Sequence, residues 1–393
     1  KEGTRLAIAG DSITQQKIYS QFLETYLVAC APVTNISVIQ LGWDGETAAR
    51  FAARLENDLL PWNSTVVTLC YGMNDGRYRR YEESIGAAYQ KAMAEILDGL
   101  QSRGVTAVVG GPGVVDSHYF TRTNGYNESL ARLSAIAEEL AARYAFPFAD
   151  VHGAMADVMA KSKAALGETY PVGGFDGVHP VHNGHLVMAY AFLRALELEG
   201  DIGSIVYDWT NGATATGDHR ILDCASGALE IESRRYPFCF GDTADDPYGK
   251  RMVGVLPFVP FQEELNRFTL TVRNLPPGDY EVCWGSERKR FDAERLARGI
   301  NLAAEFIENP FRSAFARVRK RVAAKQAFET VIIKGVITQA RVLRAEFQSG
   351  DDALRLMDEL RDALLARHRA YCEEVRAAVL PVRHELRITR CGP

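Results

Sequence analysis

Paired-cysteine motifs are missing from this chain. Its seven cysteines, Cys30, Cys70, Cys224, Cys239, Cys283, Cys372 and Cys391, stand apart with no CxxC pair, which excludes zinc ribbons and dithiol redox motifs. An odd count leaves at least one thiol unpaired. Cys30 and Cys70 lie in apolar segments and read as buried thiols, so only the later ones are placed to bridge. No apolar run approaches the ~20 residues that cross a bilayer, and the first stretch lacks the charged, apolar and small-residue layout of a signal peptide. A membrane span is therefore not expected. Basic excess is absent too: 45 Lys and Arg against 50 Asp and Glu leave a formal net charge of −5. Nucleic acid is accordingly not an expected partner. The chain starts at Lys1 and reaches its first strand almost at once, so a secreted or periplasmic location is the expectation if a leader was removed.

What is present is enough to fold. With 393 residues and 47% hydrophobic content, the chain can bury a substantial core and is long enough for two domains. Over the first 200 residues, compact apolar runs ("RLAIAG", "ISVIQLG", "TVVTLCYG", "TAVVGG", "PFAD") alternate with helical patterns such as "SIGAAYQKAMAEILDGLQSRG". Such runs read as buried parallel strands, and their alternation with helices implies an α/β layer structure. Ligands of such sheets bind beyond the carboxyl ends of the strands. From about residue 201 the rhythm shortens: "HRILDC", "ALEIES", "RFTLTVRN" and "DYEVCWG" predict a small antiparallel β-sandwich over 201–290. A helical hairpin is expected over 291–381, with a kink at the β-branched "TVIIKGVIT". The alternating "HELRIT" within 382–390 is expected to rejoin the sandwich, making the hairpin an insertion. The first domain then spans 1–200.

Four stretches at predicted strand ends carry chemistry: "GDSIT", "LGWDGETA", "YGMNDG" and "FDGVHPVHNGH". Each has a bland reading by itself. Ser12 alone reads as a helix cap, Gly45 as a turn residue, Asn74 and Asp75 as a turn pair, and Asp176 and His179 as a solvated loop. Together they offer a hydroxyl nucleophile, an imidazole, a carboxylate and oxyanion donors, the inventory of serine-type ester hydrolysis.

In order and type these blocks resemble the GDSL or SGNH hydrolase superfamily, over about residues 4–196. The resemblance implies a flavodoxin-like three-layer fold with five parallel strands, and no cofactor or metal. It also implies that Ser12 is the nucleophile, His179 the general base and Asp176 its orienting carboxylate. The Ser12 and Gly45 N–H groups and the Asn74 amide would form the oxyanion hole, with Gly42 the alternative to Gly45. The Gly-x-Ser-x-Gly elbow is absent around Ser12. The first block carries Ile13 where the family has Leu.

The substrate is less legible. Trp43, Asp75, Arg77 and Tyr78 are the candidate substrate contacts, and Tyr71, Tyr119 and Phe120 lie in the same loops. This mixture of rings and polar groups suits a small-molecule or glycan ester, most simply a carbohydrate carrying O-acetyl groups. A lipid or thioester acyl hydrolase is the alternative, and a non-catalytic binding protein a third reading. His179, His182 and His185 are evenly spaced like metal ligands, but Pro180 interrupts them and no acidic or Cys ligand follows at a recognised interval. The sandwich aromatics Trp209, Tyr236, Phe238, Phe240 and Trp284 fit either a core or a carbohydrate-binding face. The basic run "RVRKRVAAK" reads as a solvated face opposite Val318 and Val322. The hairpin either covers the catalytic edge or forms a contact between copies of the chain.

Overall fold

The computed structural model describes residues 2–32, 35–240 and 252–392. It separates into two compact units, one of Lys1–Glu24, Val33–Glu197 and Arg321–Glu374, the other of Thr25–Pro32, Leu198–Lys320 and Val375–Pro393. The outer part of the helical hairpin thus falls in the first unit.

In that unit, β1 (Arg5–Gly10), β2 (Ser37–Gln40), β3 (Val66–Cys70), β4 (Thr106–Gly110) and β5 (Phe148–Ala149) form one sheet in the order β2-β1-β3-β4-β5. Every pairing is parallel. The strands are apolar on both faces because helices flank the sheet. Ala7, Ala9, Val67, Leu69, Ala107 and Val109 share one buried cluster with Phe51, Met93 and Leu133. These come from α3 (Ala48–Asp58), α4 (Glu83–Gln101) and α5 (Tyr126–Tyr144). Ile332, Ile333 and Ile337 of the extension join the same cluster.

The extension covers the sheet's open edge. A strand edge exposes unpaired N–H and C=O groups, and here a helix supplies their partners. Lys325 Nζ donates to Val38 O at 2.7 Å, and Gln40 N donates to Glu329 Oε2 at 3.0 Å. Lys325 also pairs with Glu24 at 3.1 Å and with Glu329, all three side chains being buried. So the last cation of the basic run lies in the interior rather than on a solvated face. The expected kink in "TVIIKGVIT" is a π-helical turn at Ile333–Ile337 between the helices Arg312–Ile332 and Thr338–Arg344.

Among the described residues the second unit holds two sheets. One, β12-β11-β14-β9-β8, is antiparallel throughout and comprises Glu287–Asp292, Asp279–Trp284, Val382–Arg390, Ala228–Ser233 and His219–Ala225 in that order. The other runs β13-β10-β6-β7, with β6 at Asp201–Asp208, β7 at Gly212–Ala215, β10 at Arg267–Arg273 and β13 at Ile300–Asn301. In it β10 pairs with β6 in parallel, which corrects the expectation of a purely antiparallel sandwich. The intervening β7, β8 and β9 give the chain the long crossover that a parallel pair requires. Tyr236, Phe238, Phe240 and Trp284 are buried, and Trp209 packs edge-on against Tyr280 at 5.8 Å. These rings serve packing.

A directional hydrogen-bond chain crosses this core. Trp284 Nε1 donates to His384 Nδ1 at 3.1 Å, which leaves His384 Nε2 to donate to Ser233 Oγ at 2.9 Å. Ser233 Oγ then donates to His219 Nδ1 at 2.8 Å, and His219 Nε2 to Ile202 O at 2.9 Å. Every donor is used once only if both rings are neutral. Burial, reinforced by His219, pushes the His384 imidazole from its ordinary 6.5 down to about 3. Between those values the unfolded ring takes a proton that the folded ring refuses. Each unit of falling pH there favours unfolding by up to about 1.4 kcal/mol. In histidine-selective NMR the His384 ring should keep neutral shifts from pH 8 down to about pH 4; a titration step near its ordinary value would contradict this chain.

Among the described residues, no helix is long and apolar enough to cross a membrane.

Candidate active site

At the carboxyl end of β1 the chain turns directly into α1 (Ser12–Gln15). The cap of this helix is Asp11, whose Oδ1 accepts from Ile13 N at 3.0 Å. Ser12 is therefore the first helical residue and not the cap. Its half-buried hydroxyl lies 2.8 Å from His179 Nε2. Burial pushes the Asp11 carboxyl up to about 7; the Ile13 N–H opposes this, and the neighbouring Asp75 and Glu46 add to it.

The imidazole is held by the loop that precedes α7 (His182–Ala195). His179 Nδ1 lies 2.6 Å from Asp176 Oδ2, while Asp176 Oδ1 accepts from Val178 N at 2.9 Å and from His179 N at 2.8 Å. One carboxylate thus shapes the turn with one oxygen and orients the ring with the other. Burial alone would raise the Asp176 carboxyl, but the His179 N–H, the His179 ring and the Val178 N–H together hold it below its ordinary value. Gly177 sits at φ +75°, and a Cβ there would meet Phe120 N at 2.5 Å and Asp116 O at 2.8 Å. Only glycine fits that approach.

After β2, Glu46 N donates to Trp43 O at 3.2 Å, closing a tight turn with Gly45 in its third position at φ +63°. That left-handed conformation favours glycine. A Cβ on Gly45 would meet nothing, whereas one on Gly42 would meet Gln15 N at 2.4 Å. Gly42 is thus packed against the Ser12 helix, and Gly45 stands exposed on the turn. A buried network fixes this turn from below. Arg54 grips Glu46 with both Nε and Nη2, at 2.6 and 2.7 Å, and donates to Leu41 O at 2.7 Å. Tyr71 OH adds a bond to Glu46 Oε2 at 2.9 Å. Tyr71, named among the loop aromatics, is fully buried in this network.

After β3, Asn74 Nδ2 donates to Glu46 O at 3.0 Å, and its Oδ1 accepts from Tyr78 OH at 3.1 Å. The amide is thereby oriented, with its donor end against the Gly45–Glu46 turn. Asp75, expected among the substrate contacts, has its carboxylate engaged by backbone instead: Oδ1 accepts from Ala48 N at 3.0 Å and Oδ2 from Gly72 N at 3.1 Å. Arg77 and Tyr78 both adopt left-handed backbone, at φ 56° and 54°, a strained pair of the kind that clusters at functional sites. Tyr78 packs on Tyr126 with ring centroids 5.3 Å apart and on Phe120 at 5.9 Å. Trp43 lies beneath two cations, 5.2 Å from the Arg54 guanidinium carbon and 4.8 Å from Lys334 Nζ.

His185 is buried, with Nε2 2.8 Å from Gln16 Oε1, and burial followed by His182 and His179 pushes it down to about 3. Among the described residues no group of three or more His, Cys, Asp or Glu could hold a metal ion.

A five-stranded parallel sheet flanked by helices is the architecture of the SGNH hydrolase fold, and here Ser12, His179 and Asp176 form one hydrogen-bonded row beside it. Residues 8–187 match the model of the GDSL-like Lipase/Acylhydrolase family. In fold the chain is similar to BT4096, a gut microbial diltiazem-metabolizing enzyme, at 23% identity and a TM-score of 0.76 over 100% of this chain and 98% of that one. It also resembles Axe2, an acetylxylan esterase from Geobacillus stearothermophilus, at 20% identity and a TM-score of 0.44 over 50% of this chain and 96% of that one. No curated protein matches the sequence significantly.

Proposed function

We propose that the domain hydrolyses carboxylic esters through an acyl-serine intermediate, and that the group removed is a small acyl group, acetyl above all, carried by a carbohydrate. The observation that carries the reaction is the continuous row Ser12 Oγ, His179 Nε2, His179 Nδ1, Asp176 Oδ2, with separations of 2.8 and 2.6 Å. Ser12 Oγ attacks the ester carbonyl while His179 Nε2 takes its proton; Asp176 keeps the other proton on Nδ1 and stabilises the imidazolium. His179 then protonates the leaving alcohol. The Ser12 N–H, the Gly45 N–H and the Asn74 amide receive the oxyanion. Water attacks the acyl-serine with His179 again as base, releasing the acid.

The small-acyl reading is supported by the polar and aromatic character of the neighbouring Asn74, Tyr78, Arg77 and Trp43. Against it stands Phe175, next to Asp176, which is 54% exposed and packs edge-on against Tyr119 at 5.7 Å. This apolar rim favours the lipid or thioester alternative. Initial rates on matched acetyl and octanoyl esters decide: kcat/KM should favour the acetyl ester by about ten-fold or more, and the reverse order rejects the carbohydrate reading. Acetate release from a panel of acetylated glycans would then name the substrate.

A further inference from the structure

We infer that Lys334, on the π-helical turn of the C-terminal extension, is a positioning residue of the active site, holding the turn that carries Gly45 against the helix that carries Ser12. The inference rests on the ester-hydrolase reading above and extends it to a part of the chain outside residues 8–187.

The geometry is a closed ring of polar contacts. Gln15, on α1 with Ser12, donates through Nε2 to Asp44 Oδ2 at 2.5 Å, and Asp44 N donates back to Gln15 Oε1 at 2.8 Å. Lys334 Nζ donates to that same Gln15 Oε1 and lies 3.3 Å from that same Asp44 Oδ2. Both acceptors of the exchange therefore meet one ammonium. Asp44 immediately precedes Gly45, and Gln15 lies on the same four-residue helix as Ser12. The helix of Ser12 and the turn of Gly45 are thus joined by two direct hydrogen bonds, and one cation bridges the two acceptors of that pair.

This tie matters because it meets the exposed part of the turn, which the buried network around Glu46 does not reach. A helix of one turn has little stability of its own, and Asp44 and Gly45 are exposed. Arg54 holds Glu46, Leu41 O and the Trp43 ring, at the two ends of the turn. Lys334 holds Asp44 between them and also lies over the Trp43 ring. Its own placement is firm. Ile333 and Ile337 on either side are buried, Ile337 O accepts from Asn57 Nδ2 at 2.8 Å, and Thr338 Oγ1 donates to Asp58 Oδ2 at 2.6 Å. Oxyanion donors act only when held within about 0.5 Å of the productive position, so loosening the turn should lower kcat before it changes substrate binding.

The test uses the full chain with Lys334→Met, Lys334→Arg and Asp44→Asn. Readouts are kcat and KM on a small acyl ester, Ki for an alkyl boronic acid that forms a tetrahedral serine adduct, and the thermal midpoint. For Lys334→Met, kcat should fall about 10- to 100-fold, part of the loss seen when a donor is removed outright. KM should stay within about two-fold, and the boronate Ki should rise by the same factor as kcat falls. Lys334→Arg should restore most of both. If Lys334→Met shows no cooperative melting, Asp44→Asn replaces it, with a smaller change of the same sign expected in kcat and Ki. Unchanged kcat and Ki, a fall in kcat without a rise in Ki, or failure of arginine to rescue would each overturn the inference. A wild-type chain that neither turns over esters nor binds the boronate overturns the hydrolase reading as well, whereas an active wild type with an indifferent Lys334→Met overturns this inference alone.

Discussion

Ser12→Ala should lower kcat on a small acyl ester by a factor on the order of 10⁶, the scale reported for losing a triad serine. The size follows from the geometry. Ser12 Oγ lies 2.8 Å from His179 Nε2, within the reach that proton transfer to a general base needs. The variant should fold normally, because the hydroxyl is not the cap of α1; Asp11 performs that task. Removing a true cap would cost about 1 kcal/mol of stability, so an unchanged thermal midpoint in Ser12→Ala separates the nucleophile from the cap. Activity in Ser12→Ala close to that of the wild type would exclude the acyl-serine route.

The second large effect is expected at Asn74. Asn74→Ala removes a donor whose amide is fixed at one end by Tyr78 OH and at the other by Glu46 O. A single oxyanion donor is worth about 10²- to 10³-fold in kcat, and the loss should appear in kcat with KM little changed. Tyr78→Phe leaves the amide in place but removes the bond that orients it, so its effect should be smaller and of the same kind. Steady-state kinetics on one ester measures both. A Tyr78→Phe defect confined to KM would place that ring against substrate instead of behind Asn74.

The blocks "GDSIT", "GETA", "GMND" and "FDGVH" were legible because each is local. In the first three, a few residues after a buried strand hold both the chemistry and the backbone it needs; the fourth was expected at a strand end but lies in the loop between the helices Val151–Leu166 and His182–Ala195, where Gly177 gives the turn its shape. The five strands were legible for a related reason: runs apolar on both faces belong to sheets covered by helices. What was not legible depends on partners distant in the chain. Nothing in "RFAARLEND" announces that Arg54 grips Glu46 from inside the protein, since a buried arginine looks like any other charge on a helix. Nothing near Trp43 in the sequence announces the two cations over its ring, or near Asp75 that its oxygens accept from Ala48 and Gly72. Lys334 reads as one polar residue in a β-branched stretch. The same stretch did announce a departure from α-helix, because β-branched residues and Gly335 have low helix propensity, and π-turns of this sort recur at functional sites. The parallel pairing of β6 with β10 was missed because strand patterns show which residues are buried and not which neighbour the crossover selects.

The most direct measurement is stoichiometric labelling with an alkyl fluorophosphonate, in which a serine nucleophile displaces fluoride from phosphorus, followed by peptide mapping and residual activity on the same samples. The account predicts one adduct per chain, on the peptide containing Ser12, with activity lost in proportion to labelling and no adduct in Ser12→Ala or at strongly reduced rate in His179→Ala. An adduct on another residue that accounts for the loss, or full ester turnover with Ser12 completely labelled, would contradict it.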